Sequence, residues 1–204
     1  MAIAPKGMIV AIGGPPHSGK SVFLAELYRQ LLARKPSKFV FLQRACPDGE
    51  GMWSAESGPE VVKEIRRKGS FSQEFMLFTL KSIEGLGKVF PLVLLDLGGR
   101  RTAENAEILG RSTHLIVLSS KEEEDEPWCQ FAEAEGCKTV AVFRSRLVKV
   151  KNGQLDETVR SSVDLSAEPI RGEMLNLDRD GAVEPYQAAV SQFADWLIAK
   201  IESQ

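Results

Sequence analysis

The sequence lacks several features that would have decided its class at once. Its three cysteines, Cys46, Cys129 and Cys137, are odd in number and fit neither a zinc-site spacing nor a disulfide framework. They read as reduced thiols of a cytosolic protein. No stretch reaches the ~18 uninterrupted apolar residues a membrane helix needs, and no charged N-terminal segment leads into a long apolar run. A soluble chain without membrane partner or secretion signal is expected. Basic and acidic residues nearly balance, 26 against 28 for a formal charge of -2. The overall positive excess that attracts nucleic acid or anionic membrane is therefore missing, although a local basic cleft remains compatible with that balance. Internal repeats and low-complexity tracts are absent too, which excludes solenoid and fibrous architectures. What is present is a chain of 204 residues, 43% of them hydrophobic, enough for one sizeable core. One domain over 1–204 is expected, with a core at about 7–146 and a hairpin and closing helix at about 147–202.

Short apolar runs alternate with helical patterns. Residues 8–12 are apolar and meet a Gly/Pro turn, after which Leu24, Leu27, Tyr28 and Leu31 recur at helical spacing. That helix should stop near Pro36. Residues 39–43 form a second strand-like run, and 47–58, rich in Gly, Pro and acidic residues, reads as a long loop. Helices are expected at about 60–68 and 73–83. The strongly apolar 90–95 then reaches Asp96, and 114–118 and 139–143 are further strands separated by a helix at about 127–135. Apolar runs without alternation, spaced by helices, predict an α/β fold: a mostly parallel five-stranded sheet sandwiched between helices on both faces. Beyond Arg146, residues 148–150, the Asn152-Gly153 pair and Leu155 suggest a hairpin. Tyr186, Val190, Phe193 and Leu197 form one stripe of a closing helix.

The chemistry concentrates at the first turn. Gly14-Pro15-Pro16-His17-Ser18-Gly19-Lys20-Ser21 fits the P-loop pattern G-x-x-x-x-G-K-[ST], in which backbone N–H groups surround a polyphosphate. The glycines permit close backbone approach. Lys20 would neutralise the β- and γ-phosphates, the Ser21 hydroxyl would ligate Mg²⁺, and the helix starting there, through Val22, points its positive end at the anion. Pro15 and Pro16 have no N–H, so the amides from His17 through Ser18 and Gly19 onward must supply the cradle. The His17 imidazole is read as a bystander. Asp96, at the end of an apolar strand, is placed to hold a Mg²⁺-bound water, against the alternative of a simple turn or cap aspartate. Leu97 stands where vigorous ATPases carry a water-polarising Glu, which disfavours fast hydrolysis. No Asn-Lys-x-Asp guanine-reading segment follows 139–143, where Arg144-Ser145-Arg146 stands, so ATP is favoured over GTP.

Phosphoryl transfer would need a carboxylate to orient and deprotonate an acceptor hydroxyl, and cations for the moving charge. The loop after the second strand offers Asp48 and Glu50, either as the base, with a plain polar turn as the alternative. Trp53 is a stacking or packing residue. Arg100, just past the strand that bears Asp96, and its neighbour Arg101 are the better-placed phosphate contacts. Arg66, Arg67 and Lys68 suit a helix C-terminus, and the acidic run 122–126 suits a helix start. His114 reads as a structural histidine.

The stretch from Gly13 to Ser21 with its two prolines resembles a known domain. The resemblance extends to Arg44-Ala45-Cys46-Pro47-Asp48-Gly49-Glu50-Gly51, Asp96-Leu97-Gly98-Gly99 and Thr113-His114-Leu115-Ile116. Together these resemble the P-loop NTPase domain associated with CRISPR ring nucleases, labelled AAA-like but closer in pattern to nucleotide kinases. The resemblance implies ATP and Mg²⁺ binding beside an enzyme that degrades cyclic oligoadenylates; the ring-nuclease portion itself is not evident. The expected activity is ATP-dependent phosphotransfer, with a nucleotide-dependent switch or slow ATPase as the rival. Expected partners are a hydroxyl acceptor such as a nucleotide or nucleic-acid end, a ring nuclease, and a second copy of the chain as a homo-oligomer.

Overall fold

The structure is a computed structural model that describes residues 7–47, 71–148 and 160–203. The first strand, β1 (Met8–Gly13), is buried at all six positions. Successive side chains of a strand point to opposite faces, and both faces here are apolar. Met8, Val10 and Ile12 enter one core, while Ile9 and Ala11 enter another on the far side of the sheet. Helix α1 (Lys20–Arg34) buries Phe23, Leu24, Leu27 and Leu31 and ends at Lys35, immediately before Pro36, which cannot continue a helix.

The chain continues through β2 (Val40–Arg44), α2 (Gln73–Val89), β3 (Leu92–Asp96), α3 (Ala103–Leu109) and β4 (His114–Ser119). It closes with α4 (Asp125–Glu133), β5 (Lys138–Arg146), β6 (Ser162–Asp164), β7 (Ile170–Leu175) and α5 (Glu184–Glu202). Caps fix two of the starts: Ser72 Oγ accepts from the Phe75 amide at 3.1 Å and Thr102 Oγ1 from the Asn105 amide at 3.4 Å. The acidic run becomes a short 3-10 turn (Glu122–Glu124) with Asp125 and Glu126 in the first turn of α4; Glu122, Glu123 and Glu126 are solvated, whereas Asp125 is largely buried and pairs with Arg144.

The sheet order is β2-β3-β1-β4-β5-β7-β6, and every neighbouring pair is parallel except β6–β7. Seven strands stand where five were expected. Residues 170–175 carry Arg171, Gly172 and Glu173 among the apolar positions, a pattern too polar to read as a covered parallel strand. They pair with β5 on one side, and on the other Gly172 lets β6 come close: a Cβ there would run into the Ser162 carbonyl and sit 3.1 Å from Phe143. The antiparallel pair of the C-terminal part is therefore β6–β7. The expected hairpin at 148–155 lies almost wholly outside the described residues, as does the expected helix at 60–68.

Helices α1 and α5 cover one face and α2, α3 and α4 the other. The α1/α5 face is aromatic: Phe23, Phe143 and Phe193 meet pairwise with ring centroids 5.4, 6.3 and 5.0 Å apart. Each such ring, fully buried, contributes about 1.5–3 kcal/mol. Arg34 Nε also reaches Asp195 Oδ1 at 2.6 Å, tying the end of α1 to α5. From β1 the chain crosses by α1 to β2, and from the adjacent β3 it crosses by α3 to β4 on the opposite face. Adjacent strands feeding opposite faces open a crevice at their carboxyl ends.

Candidate functional site

The crevice is bounded by the turns after β1 and β3. In the first turn, Gly14 has φ 140, His17 φ 60 and Gly19 φ 82, three left-handed or otherwise glycine-favouring conformations within six residues. A side chain at Gly14 would collide with the Leu118 carbonyl of β4, and one at Gly13 would lie 2.9 Å from the buried Trp128 ring of α4. The turn is thus pressed against the carboxyl end of β4 and folds back on itself.

Lys20, only 9% exposed, fills the bowl. Its Nζ donates to the Gly14 carbonyl at 3.0 Å, to the Pro15 carbonyl at 2.7 Å, and to Ser18 Oγ at 3.5 Å. The ammonium is thus held inside the turn by two of the turn's own carbonyls. Among the described residues no side chain caps the start of α1, and the helix's own first turn carries no acidic residue. Ser18 is buried, Val22 is half-buried and packs on the α1/α5 core, and the His17 side chain is exposed.

The second turn supplies a carboxylate. Asp96, 8% exposed, accepts from Ser21 Oγ at 3.2 Å through Oδ2. The backbone registers this pairing: Ile12 lies beside Asp96 in the sheet, and the Leu97 amide donates to the Ile12 carbonyl at 3.3 Å. Gly98 and Gly99 follow. A Cβ at Gly99 would lie 2.7 Å from the Pro16 nitrogen, and one at Gly98 would lie 3.1 Å from Cys46 Sγ. Asn105, 1% exposed, braces this turn by donating Nδ2 to the Arg100 carbonyl at 2.7 Å.

A hydroxyl and a carboxylate at this separation are hard oxygen donors of the kind Mg²⁺ accepts. Among the described residues no group of three or more His, Cys, Asp or Glu side chains forms a metal site by itself. An ion held between Ser21 and Asp96 would take further ligands from phosphate oxygens and water, the usual condition of a Mg²⁺ site.

Gly14, Ser18, Gly19, Lys20, Ser21 and Asp96 are therefore brought together. Arg100 is exposed at the rim, and its carbonyl accepts from the Asn105 side chain and the Thr102 amide. Arg101 is structural: it pairs with Glu124 at 2.6 Å and lies 5.7 Å over the Trp128 ring. Asp48 and Glu50 lie outside the described residues. His114 sits at the other end of β4, where burial, then the charges of Lys200 and Lys138, lower its pKa to about 4.

Two contributors were missed from sequence. Asn105 carries no motif signal, only a capped helix start one turn after the Gly pair. Leu177, 8% exposed, presses on the turn from beyond β7: a Cβ at Gly19 would lie 2.6 Å from its Cβ. Asn176, at φ 53, aims that residue inward while its Oδ1 accepts from the Val148 amide at 2.7 Å. Nothing in the local sequence announces a contact made across about 160 residues.

No family model matches this chain, and no characterised protein matches it. Among solved structures it is similar to the nucleotide-binding protein in complex with ADP from Archaeoglobus fulgidus. That likeness has TM-score 0.41 and 15% identity and covers 68% of this chain and 66% of that one. It is also similar to APE1195, at TM-score 0.31 and 16% identity over 100% of this chain and 98% of that one. The chain spans about two thirds of the length of the first. Such loose likenesses leave the functional reading to this chain's own residues.

Proposed function

We propose that the turn from Gly14 to Ser21 is a P-loop that binds the polyphosphate of ATP with Mg²⁺, and that the chain is an ATP-dependent phosphotransferase. The observation that carries this reading is the buried Lys20 ammonium, coordinated by the carbonyls of Gly14 and Pro15. It sits at an uncapped helix start, beside a Ser21–Asp96 pair. An arriving polyphosphate would take the lysine's charge and the helix-end amides together, which is how a compact turn recognises several anionic oxygens. Mg²⁺, bound between Ser21 and Asp96, would neutralise part of the phosphate charge. The chain's own groups do the rest: Lys20 holds the β- and γ-phosphates, the turn shields them, and Asp48 or Glu50 receives the acceptor's proton. Arg100, at the rim, is proposed to meet the transferring group.

A second reading rests on the Gly99–Pro16 approach. The turn after Asp96 abuts the phosphate turn directly, so a change in one displaces the other. In a nucleotide-dependent switch or slow ATPase, that contact would report the γ-phosphate to a partner surface; a ring nuclease is the partner suggested by the resemblance. Leu97, in place of a water-polarising Glu, fits transfer or switching better than rapid hydrolysis.

Single-turnover incubation with γ-labelled ATP and Mg²⁺, with and without nucleosides, nucleotides and short oligonucleotides, separates these readings. Label on an acceptor is the expected result. Slow phosphate release alone would favour the switch. Absence of ATP binding by the unaltered chain would end both.

A further inference from the structure

A second cavity lies at the opposite end of the sheet, where β5 begins. It has a volume of about 250 Å³ and is walled by the start of β5, the β6–β7 connection and the last turns of α5. Roughly 20 Å of strand separates it from the phosphate turn. Its walls carry Lys138, Lys200, Ser166 and Thr139 beside Leu165 and Trp196. Trp196 stacks on Phe193 at 5.4 Å, and the Lys200 ammonium stands 5.2 Å over its ring. One cation is thus anchored on a rigid aromatic base, and the side chain of its neighbour is more than half exposed.

We propose that this cavity binds a small sugar phosphate, its phosphate between Lys138 and Lys200 and its hydroxyls toward Ser166. Three observations lead there. First, an anion is already drawn to the spot: Glu168, with its side chain 81% exposed, pairs with Lys138 at 2.9 Å. An exposed pair of this kind is worth little and yields readily to a better anion. Second, His114, which faces Lys138 in the β4–β5 register, is held to a pKa of about 4 by burial, then by Lys200 and Lys138. Lys138 and Lys200 come from different elements, the start of β5 and the last turns of α5, and both line this cavity. Third, the volume falls below the ~300 Å³ at which drug-sized pockets begin, and the wall is partly hydroxylated, so a compact polar molecule suits it better than a nucleotide.

The chain has two histidines, one at each end of the sheet, which makes the test direct. The ring protons of His17 report the phosphate turn and those of His114 report the cavity. Ribose 5-phosphate should move the His114 signals and leave those of His17 in place; ribose alone should move neither. Lys138→Ala and Lys200→Ala should each weaken binding about tenfold, and Glu168→Gln should tighten it about threefold. The proposal is overturned by a still His114 at about 10 mM ligand, well above metabolite-range affinities. Inorganic phosphate binding without ribose 5-phosphate, or indifference to the lysine substitutions, overturns it too. These outcomes are independent of the P-loop reading, whose own signature is an ATP-induced shift of His17.

Discussion

A pair of glycines marks each of the turns at the ends of β1 and β3, Gly13-Gly14 and Gly98-Gly99, yet the two turns need them for different reasons. In the first, Gly14 has φ 140 and the turn goes on through His17 at φ 60 and Gly19 at φ 82. Conformation demands the glycine. In the second, neither glycine has a positive φ among the described residues, and what matters is room: Pro16 stands against Gly99, and Cys46 and Asn105 against Gly98. One turn is shaped by its backbone, the other by what presses on it. A motif pattern captures the first kind of requirement and is blind to the second.

Substitutions can break that distinction, and the largest effect is expected at Gly14. Gly14→Ala combines a disfavoured φ with a collision against the β4 backbone, so a loss of roughly 3 kcal/mol or more is expected in urea unfolding. An unchanged midpoint would show that the turn relaxes freely. Next comes Lys20→Ala, which should lower ATP affinity about a hundredfold by titration calorimetry, since charge-assisted hydrogen bonds to phosphate are lost. Affinity equal to that of the parent would remove Lys20, and the P-loop reading with it. Gly99→Ala should cost about 1–3 kcal/mol, because the atoms in its way belong to the Pro16 backbone and ring. By contrast, Gly98→Ala meets the movable Cys46 and Asn105 side chains and should cost less than about 1 kcal/mol. If the two alanines proved equivalent, crowding would not be what separates these positions. The smallest effect is a gain: His17→Gly should stabilise the chain by about 0.5–1 kcal/mol by relieving the left-handed backbone, with ATP binding retained if the imidazole is a bystander.

Much of the fold was legible because parallel strands buried on both faces announce themselves as unbroken apolar runs. Residues 8–12, 114–118 and 139–143 fall within β1, β4 and β5, while 90–95 overlaps β3, which begins at Leu92. The seventh and sixth strands were not legible, since Ile170–Leu175 draws its place from Gly172 and the β5 edge rather than from its own hydrophobicity. At the site, the motif led to Lys20 and Ser21, and strand position led to Asp96. Asn105 and Leu177 escaped because they act through packing set by tertiary structure. Local spacing holds no trace of it.

The contact between Leu177 and Gly19 bears on the timing of assembly. A nascent chain completed to Arg146 already contains the whole phosphate-turn motif and the five central strands. It still lacks the residue that presses on Gly19 and the helix that covers Val10, Ile12, Ile116 and Leu118 with α1. Segments emerge from the ribosome in order, so a turn synthesised ahead of β2 to β5 is finished only after them. During that interval an apolar sheet face stands uncovered, which makes the stretch of synthesis between β5 and α5 the one in which that face is most open to aggregation.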